Sequence, residues 1–185
     1  MLDNILIGMV LDEELTGYDI KKAVEGSVGG FYRVSYGRMY PTLKILADKG
    51  YLSMSDQLYG KRQKKYYKAT ELGKEKFMQW LSSPIDLSAS PDAQLAQIFF
   101  YGELPKEIRD KRLRECELVT EQTVQHLENF AKTLRMKDMN EKDYYRISTL
   151  YYSLQNAHDT LRWLKFVREQ KELSHFILRG DGHEN

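Results

Sequence analysis

The sequence predicts a mainly α-helical chain carrying one small β-hairpin. Apolar residues recur at steps of three and four in separate stretches, each bounded by cap-type residues or glycine, which is the helical period. Strict two-residue alternation is confined to residues 51–69, the signature of a half-buried strand pair. An apolar content of 42% against 30% charged residues gives this 185-residue chain enough apolar surface to fold, as two compact halves.

The elements follow in order. A first helix is predicted over 3–12, with Asp3 as N-cap ahead of the apolar run from Ile5 to Leu11. Thr16 and Asp19 fit a capping box that opens a second helix, with Tyr18, Ile20 and Val24 as contacts and Gly29-Gly30 as its stop. The glycines of Gly26-Ser27-Val28-Gly29 read as a turn, since no strand precedes them and no basic residue lies among them. Ser35 is the expected N-cap of a third helix running to Asp48 and stopping at Lys49-Gly50. Met39, Leu43 and Leu46 give it a core face, and Pro41 should distort its first turn by removing the bond to the Gly37 carbonyl.

Residues 51–59 form the first strand, alternating Leu52 and Met54 with Ser53 and Ser55, and 64–69 the returning one. Thr70 caps a fourth helix with Leu72, Phe77, Trp80 and Leu81 turned inward. The stretch SSPIDLSASP then reads as a connection, dividing a first domain, 1–83, from a linker, 84–91, and a helical domain, 92–175, ahead of a flexible tail, 176–185. The helical domain opens with a short helix whose core face is Leu95, Ile98 and Phe99. Two long helices follow. One seam runs through Leu113, Cys116, Thr120, Thr123, Leu127, Phe130 and Leu134, the other through Ile147, Leu150, Leu154, Ala157, Leu161 and Leu164. Such spacing brings helices together at shallow angles, within one chain or between two. Tyr151, Tyr152, His158, Trp163 and Phe166 widen the second seam and ask for a second packing partner, which a second copy of the chain would supply.

The formal net charge of +1 conceals an uneven distribution. Residues 1–82 hold 13 Lys/Arg against 10 Asp/Glu, and five basic residues with no acidic one fall between Gly60 and Lys68. That patch suits a phosphate backbone, or, more plainly, a solvated hairpin that discourages strand pairing. The third helix has the width of a major groove and leaves Ser35, Tyr36, Arg38, Tyr40, Thr42 and Lys44 outward, side chains that reach base edges and phosphates. Lys61, Arg62 and Lys64 at the hairpin would neutralise phosphates or enter a minor groove. A helix followed at once by a basic ribbon is the order of a winged helix-turn-helix domain, expected to hold double-stranded DNA; a winged helix that binds another protein is the alternative.

Catalysis has no constellation to stand on. The four histidines lack metal-ligand spacing, no phosphate-binding or dinucleotide motif occurs, and Cys116 lies on a helical seam as a small apolar residue. No enzyme activity, metal or cofactor is expected. The single cysteine and the lack of a membrane-length apolar run suggest a cytoplasmic protein with no membrane partner.

Several ordered motifs then bring one family into view. Thr16-Gly17-Tyr18-Asp19-Ile20, the run Ser35-Tyr36-Gly37-Arg38-Met39-Tyr40-Pro41-Thr42-Leu43, Lys49-Gly50-Tyr51-Leu52, Gly60-Lys61-Arg62 and Lys65 to Gly73 resemble the PadR family of bacterial transcriptional regulators. The C-terminal helices resemble its longer-tailed, virulence-activator-like members. The resemblance implies a homodimer, most often a repressor, that presents two recognition helices to a pseudo-palindromic operator and, in some members, releases DNA on binding a small aromatic effector. It places Ser35, Tyr36, Arg38, Tyr40, Thr42 and Lys44 at the groove, with Lys61 and Arg62 as the wing contact. Dimerisation would use Ile147, Leu150, Leu154, Leu161 and Leu164.

Overall fold

A computed structural model describes residues 1–30, 32, 34–59, 62–86, 91–134 and 139–174, with the side chains of Tyr59, Arg62 and Pro91 outside that description. The fold class is the expected one: seven α-helices and a three-stranded antiparallel sheet among the described residues. The chain divides into two compact units, Met1–Arg109 and Asp110–Asn185.

In the first unit, α1 (Leu2–Gly8) is followed by the two-residue strand β1 (Leu15–Thr16), α2 (Gly17–Gly26), α3 (Tyr36–Asp48), β2 (Leu52–Tyr59), β3 (Arg62–Ala69), α4 (Glu71–Ser82) and α5 (Pro91–Phe99). Its core is wholly apolar at the centre. Ile5, Leu6 and Ile7 of α1, Ile20 and Val24 of α2, Met39 and Leu43 of α3, and Phe77 and Leu81 of α4 are all at 0% exposure. Each such residue contributes about 1.5–3 kcal/mol of burial, so Met39, Leu43 and the buried Leu46 fix which face of α3 points to solvent. The first helix is shorter than residues 3–12 and is capped by Met1 through backbone alone, so Asp3 lies inside it.

Helix boundaries in this unit follow local chemistry. The Thr16–Asp19 capping box is complete: the Asp19 amide donates to Thr16 Oγ1 at 3.2 Å and the Asp19 carboxylate accepts from the Thr16 amide. At the other end of α3, Gly50 takes φ +74°, with Tyr51 N–H donating to the Leu46 carbonyl and Gly50 N–H to that of Ala47. Both bonds define a Schellman stop, where a left-handed residue is needed and glycine carries no Cβ penalty. Thr70 caps α4 by accepting from Gly73 N–H at 3.1 Å. Ser35 occupies the N-cap position of α3, but its side chain makes no capping bond. Pro41 leaves α3 continuous from Tyr36 to Asp48, and the Ser35 carbonyl accepts from both Arg38 and Met39 N–H.

The ribbon pairs Leu52 with Ala69 at its base and Tyr59 with Arg62 at its far end, and β1 joins on the other side of β3, giving the order β1-β3-β2. Leu52, Met54 and Leu58 share one face of β2 but are 2%, 50% and 81% exposed. The alternation places Met54 on the covered face with Leu52, and the structure leaves it half open to solvent. Alternation assigns a face, and here the ribbon runs off the domain, so the same face loses its cover along its length.

Two further expectations are corrected within α4 and α5. Leu72 is 51% exposed, because the inward face of α4 is Gly73, Phe77 and Leu81, one step round the helix. Phe99 is 44% exposed, whereas Ala96, Gln97 and Phe100 are buried. The compact unit also runs past residues 84–91 to Arg109, so that stretch connects α4 and α5 inside one unit. The cause is an aromatic cluster: Phe100 meets Phe77 edge-on at 5.2 Å and Trp80 at 6.3 Å. Gln97 adds a polar tie, its amide donating to the carbonyls of Trp80, Leu81 and Ser83 at 3.1, 3.2 and 2.8 Å. These are the orphan acceptors at the end of α4. Gln97→Ala should therefore lower unfolding free energy by about 1–3 kcal/mol, read from the denaturant midpoint.

The second unit contains most of α6 (Lys106–Thr133) and α7 (Glu141–Arg168), which form an antiparallel pair. Arg168 Nε reaches Glu117 at 2.6 Å, Lys165 reaches Glu121 at 2.7 Å and His158 reaches Glu128 at 3.1 Å, each advance up one helix matched by a retreat down the other. Asn140 caps α7 by accepting from Asp143 N–H at 2.9 Å. The α6 seam is realised through Leu113, Cys116, Thr120 and Val124, while Thr123 and Phe130 face outward. Burial pushes the Cys116 thiol up to about 11, with Glu115 and Glu117 adding, so it stays protonated and inert at neutral pH.

Candidate nucleic-acid interface

The outward face of α3 is set by what lies beneath it. With Met39, Leu43 and Leu46 sealed in the core, Ser35, Tyr36, Arg38, Tyr40 and Lys44 are exposed, and Thr42 is half-buried with its hydroxyl donating to the Arg38 carbonyl at 2.8 Å. Tyr36, Tyr40 and Lys44 follow one another at steps of four along one flank of the core stripe, and Arg38 and Thr42 along the other. The uncapped first turn leaves Ser35 exposed next to it.

Tyr36 and Tyr40, one turn apart, stack with ring centroids 5.9 Å apart and planes at 14°. Lys21 of α2 places its ammonium 3.8 Å from the Tyr36 centroid while pairing with Glu25 at 2.8 Å. That hydrogen bond with Glu25 raises the Lys21 pKa and keeps the cation charged. Nothing in the spacing of α3 alone reveals this arrangement, since the cation comes from another helix.

The ribbon flanks the same helix. An open cleft of about 700 Å³ lies between them, lined by Tyr18, Tyr40, Lys44, Met54, Lys64 and Tyr67 among others. Lys64 and Lys65 are exposed on β3, facing Gln57 and Asp56 on β2 in the strand register. Gln57 in turn donates to Glu14 at 3.0 Å, tying the ribbon to the approach to β1. Burial pushes the Tyr67 phenol above its usual pKa, with Tyr40 and Asp56 adding to the shift. Of the expected ribbon contacts, Lys61 and the Arg62 side chain lie outside the described residues; the Arg62 backbone begins β3 opposite Tyr59.

The residues expected at a dimer seam fall along α7. Leu164 is only 2% exposed and is spent inside its own chain, whereas Ile147, Leu150, Leu154 and Leu161 are half-buried. Tyr144, Tyr145, Tyr151 and Tyr152 stand 44% or more exposed on the same helix, as do Leu118, Val119 and Phe130 on α6.

Residues 6–79 match the model of the transcriptional regulator PadR-like family. That match covers the first part of the chain, from α1 into α4. The negative transcriptional regulator PadR of Bacillus subtilis is 33% identical over 82 residues, which cover 44% of this chain and 45% of the relative. A probable transcriptional regulator of Mycobacterium tuberculosis is 20% identical over 85 residues, 45% of each chain. The chain thus spans about half the length of the curated relatives it matches. Among solved structures, Bacillus subtilis PadR in complex with operator DNA is 24% identical, with 91% of this chain and 98% of that chain covered and a TM-score of 0.45. The same protein in complex with p-coumaric acid gives 24%, 91%, 97% and 0.42. The PadR-like family and its curated relatives carry the names of transcriptional regulators, not of enzymes. No helix among the described residues is long and apolar enough to cross a membrane.

Proposed function

We propose that this PadR-like chain is a sequence-specific DNA-binding regulator, acting as a homodimeric repressor on a pseudo-palindromic operator. The observation that carries this reading is the solvent face of α3: Tyr36, Arg38, Tyr40 and Lys44 stand outward over three sealed core anchors, beside a ribbon with two exposed lysines. A helix fits the major groove, where an arginine reads guanine and tyrosine or lysine reaches base edge or phosphate. The ribbon lysines supply sequence-independent affinity. The 33% identity of this domain to a negative regulator favours repression.

Titration of the purified chain with genomic fragments at several salt concentrations tests the reading. Affinity should fall steeply with salt, Lys64→Ala should weaken all sequences and reduce the salt slope by about one, and Arg38→Ala should change preference at particular base positions. Absent or salt-insensitive binding would overturn it. Relief by a small aromatic effector belongs to the same proposal, and p-coumaric acid added to the operator complex is its probe: release of DNA supports it, and unchanged affinity removes that acid from the reading.

A further inference from the structure

The stacked tyrosines of α3 are held from outside their own helix. Two exposed tyrosines on a helix ordinarily share two χ1 wells, and each swing moves the phenol by several ångströms. Here α2 presents Gly17, Lys21 and Glu25 at successive steps of four, so all three lie on one face. A Cβ on Gly17 would sit 2.5 Å from Tyr40 Cε1, closer than atoms tolerate, so the Tyr40 ring occupies the space that only glycine leaves. Tyr36 stacks on Tyr40, and the Lys21 ammonium closes the other end of the row at 3.8 Å, itself anchored by Glu25. The row therefore runs Gly17, Tyr40, Tyr36, Lys21, with both ends on α2 and the middle on α3.

We propose that Gly17 and Lys21 are specificity-determining positioning residues: from α2 they fix the aim of Tyr40 and Tyr36, and so decide which bases this pair accepts. The inference rests on the DNA-binding reading above. Gly17 is the first residue of α2, where alanine is a good helical residue. The atom a new methyl would meet is the edge of an exposed ring, free to swing toward solvent. Gly17→Ala should thus move Tyr40 and spare the fold. Lys21→Met removes the cation but keeps a long apolar stem, whereas Lys21→Arg retains a cation that stacks on an aromatic face.

The test is selection of bound duplexes from a randomised library by the full chain and its variants, with melting temperature and affinity for a non-specific duplex measured alongside. Tyr40→Ala first marks the base positions that depend on the pair. Gly17→Ala and Lys21→Met should each lower preference roughly ten-fold at those positions and leave the others as in the parent, the loss expected when a side chain leaves its base edge. Gly17→Ala should add nothing in the Tyr40→Ala background, and Lys21→Arg should return the parent preference. A Lys21 that merely touches phosphate would instead weaken every sequence equally. That outcome, unchanged preferences in both variants, or a Tyr40→Ala variant with parent preferences would overturn the inference and leave DNA binding standing. A parent chain that enriches no sequence would overturn the DNA reading and the inference with it.

Discussion

Phe77→Ala should cost about 3–5 kcal/mol of unfolding free energy, the range for emptying a sealed aromatic site that cannot fully collapse. Phe77 is at 0% exposure and meets Phe100 edge-on at 5.2 Å and Trp80 tilted at 5.7 Å. Gly8 of α1 makes the approach possible, since a Cβ there would stand 2.6 Å from the Phe100 ring and 2.8 Å from that of Phe77. Truncation therefore removes contacts to α1 and to the residue after α5 as well as those within α4. Against a total stability of about 5–15 kcal/mol, the loss puts the first unit near its folding threshold at growth temperature. Chemical denaturation checks it, and a double-mutant cycle with Phe100→Leu should return a coupling of about 0.5–1.5 kcal/mol. A cost below about 1 kcal/mol would mean that the cluster is peripheral to the unit.

The features legible in the sequence are those decided within a few residues. Thr16, Ser35 and Thr70 all sit at N-cap positions, because a cap is a bond between neighbours or a local turn of backbone. Gly50 marks its stop for the same reason. What escaped depends on partners far along the chain. β1 is two residues long and exists because Leu15 and Thr16 meet Tyr67 and Tyr66 some fifty residues later, a contact with no local signal. Leu72 and Phe99 are apolar residues whose periodicity fits two adjacent faces, and only the position of Tyr51 and the Phe77–Phe100 cluster decides between them.

The candidate site divides along the same line. Residue types and spacing on α3 sufficed to name the outward set, since Met39, Leu43 and Leu46 leave one face free. The orientation of Tyr36 and Tyr40 could not be read that way. It is imposed by Gly17 and Lys21, and a glycine at a helix start or a lysine four residues on carries no mark of such a role.

In the proposed homodimer, Leu154→Asp should give monomers and weaken operator binding about 10²–10⁴-fold, the avidity lost when two linked half-sites become one. α7 runs 28 residues from Glu141 to Arg168, and Leu154 stands at its middle, half-buried beside α6. In a two-fold interface built on this helix, a central residue lies near its own copy, so the substitution sets two carboxylates face to face. Two ion pairs and the His158–Glu128 contact already commit the flank of the seam to α6, and Leu164 is buried, which leaves Ile147, Leu150, Leu154 and Leu161 as the portion a second copy can finish covering. Sedimentation velocity reports the mass, and circular dichroism verifies that α6 and α7 stay helical. Tyr151→Glu, at a residue 44% exposed on its own chain, should repeat the result. A dimer that survives both substitutions would move the interface to the outward side of α6, where Leu118, Val119 and Phe130 lie, because half-sites about one helical turn apart still require two recognition helices held together.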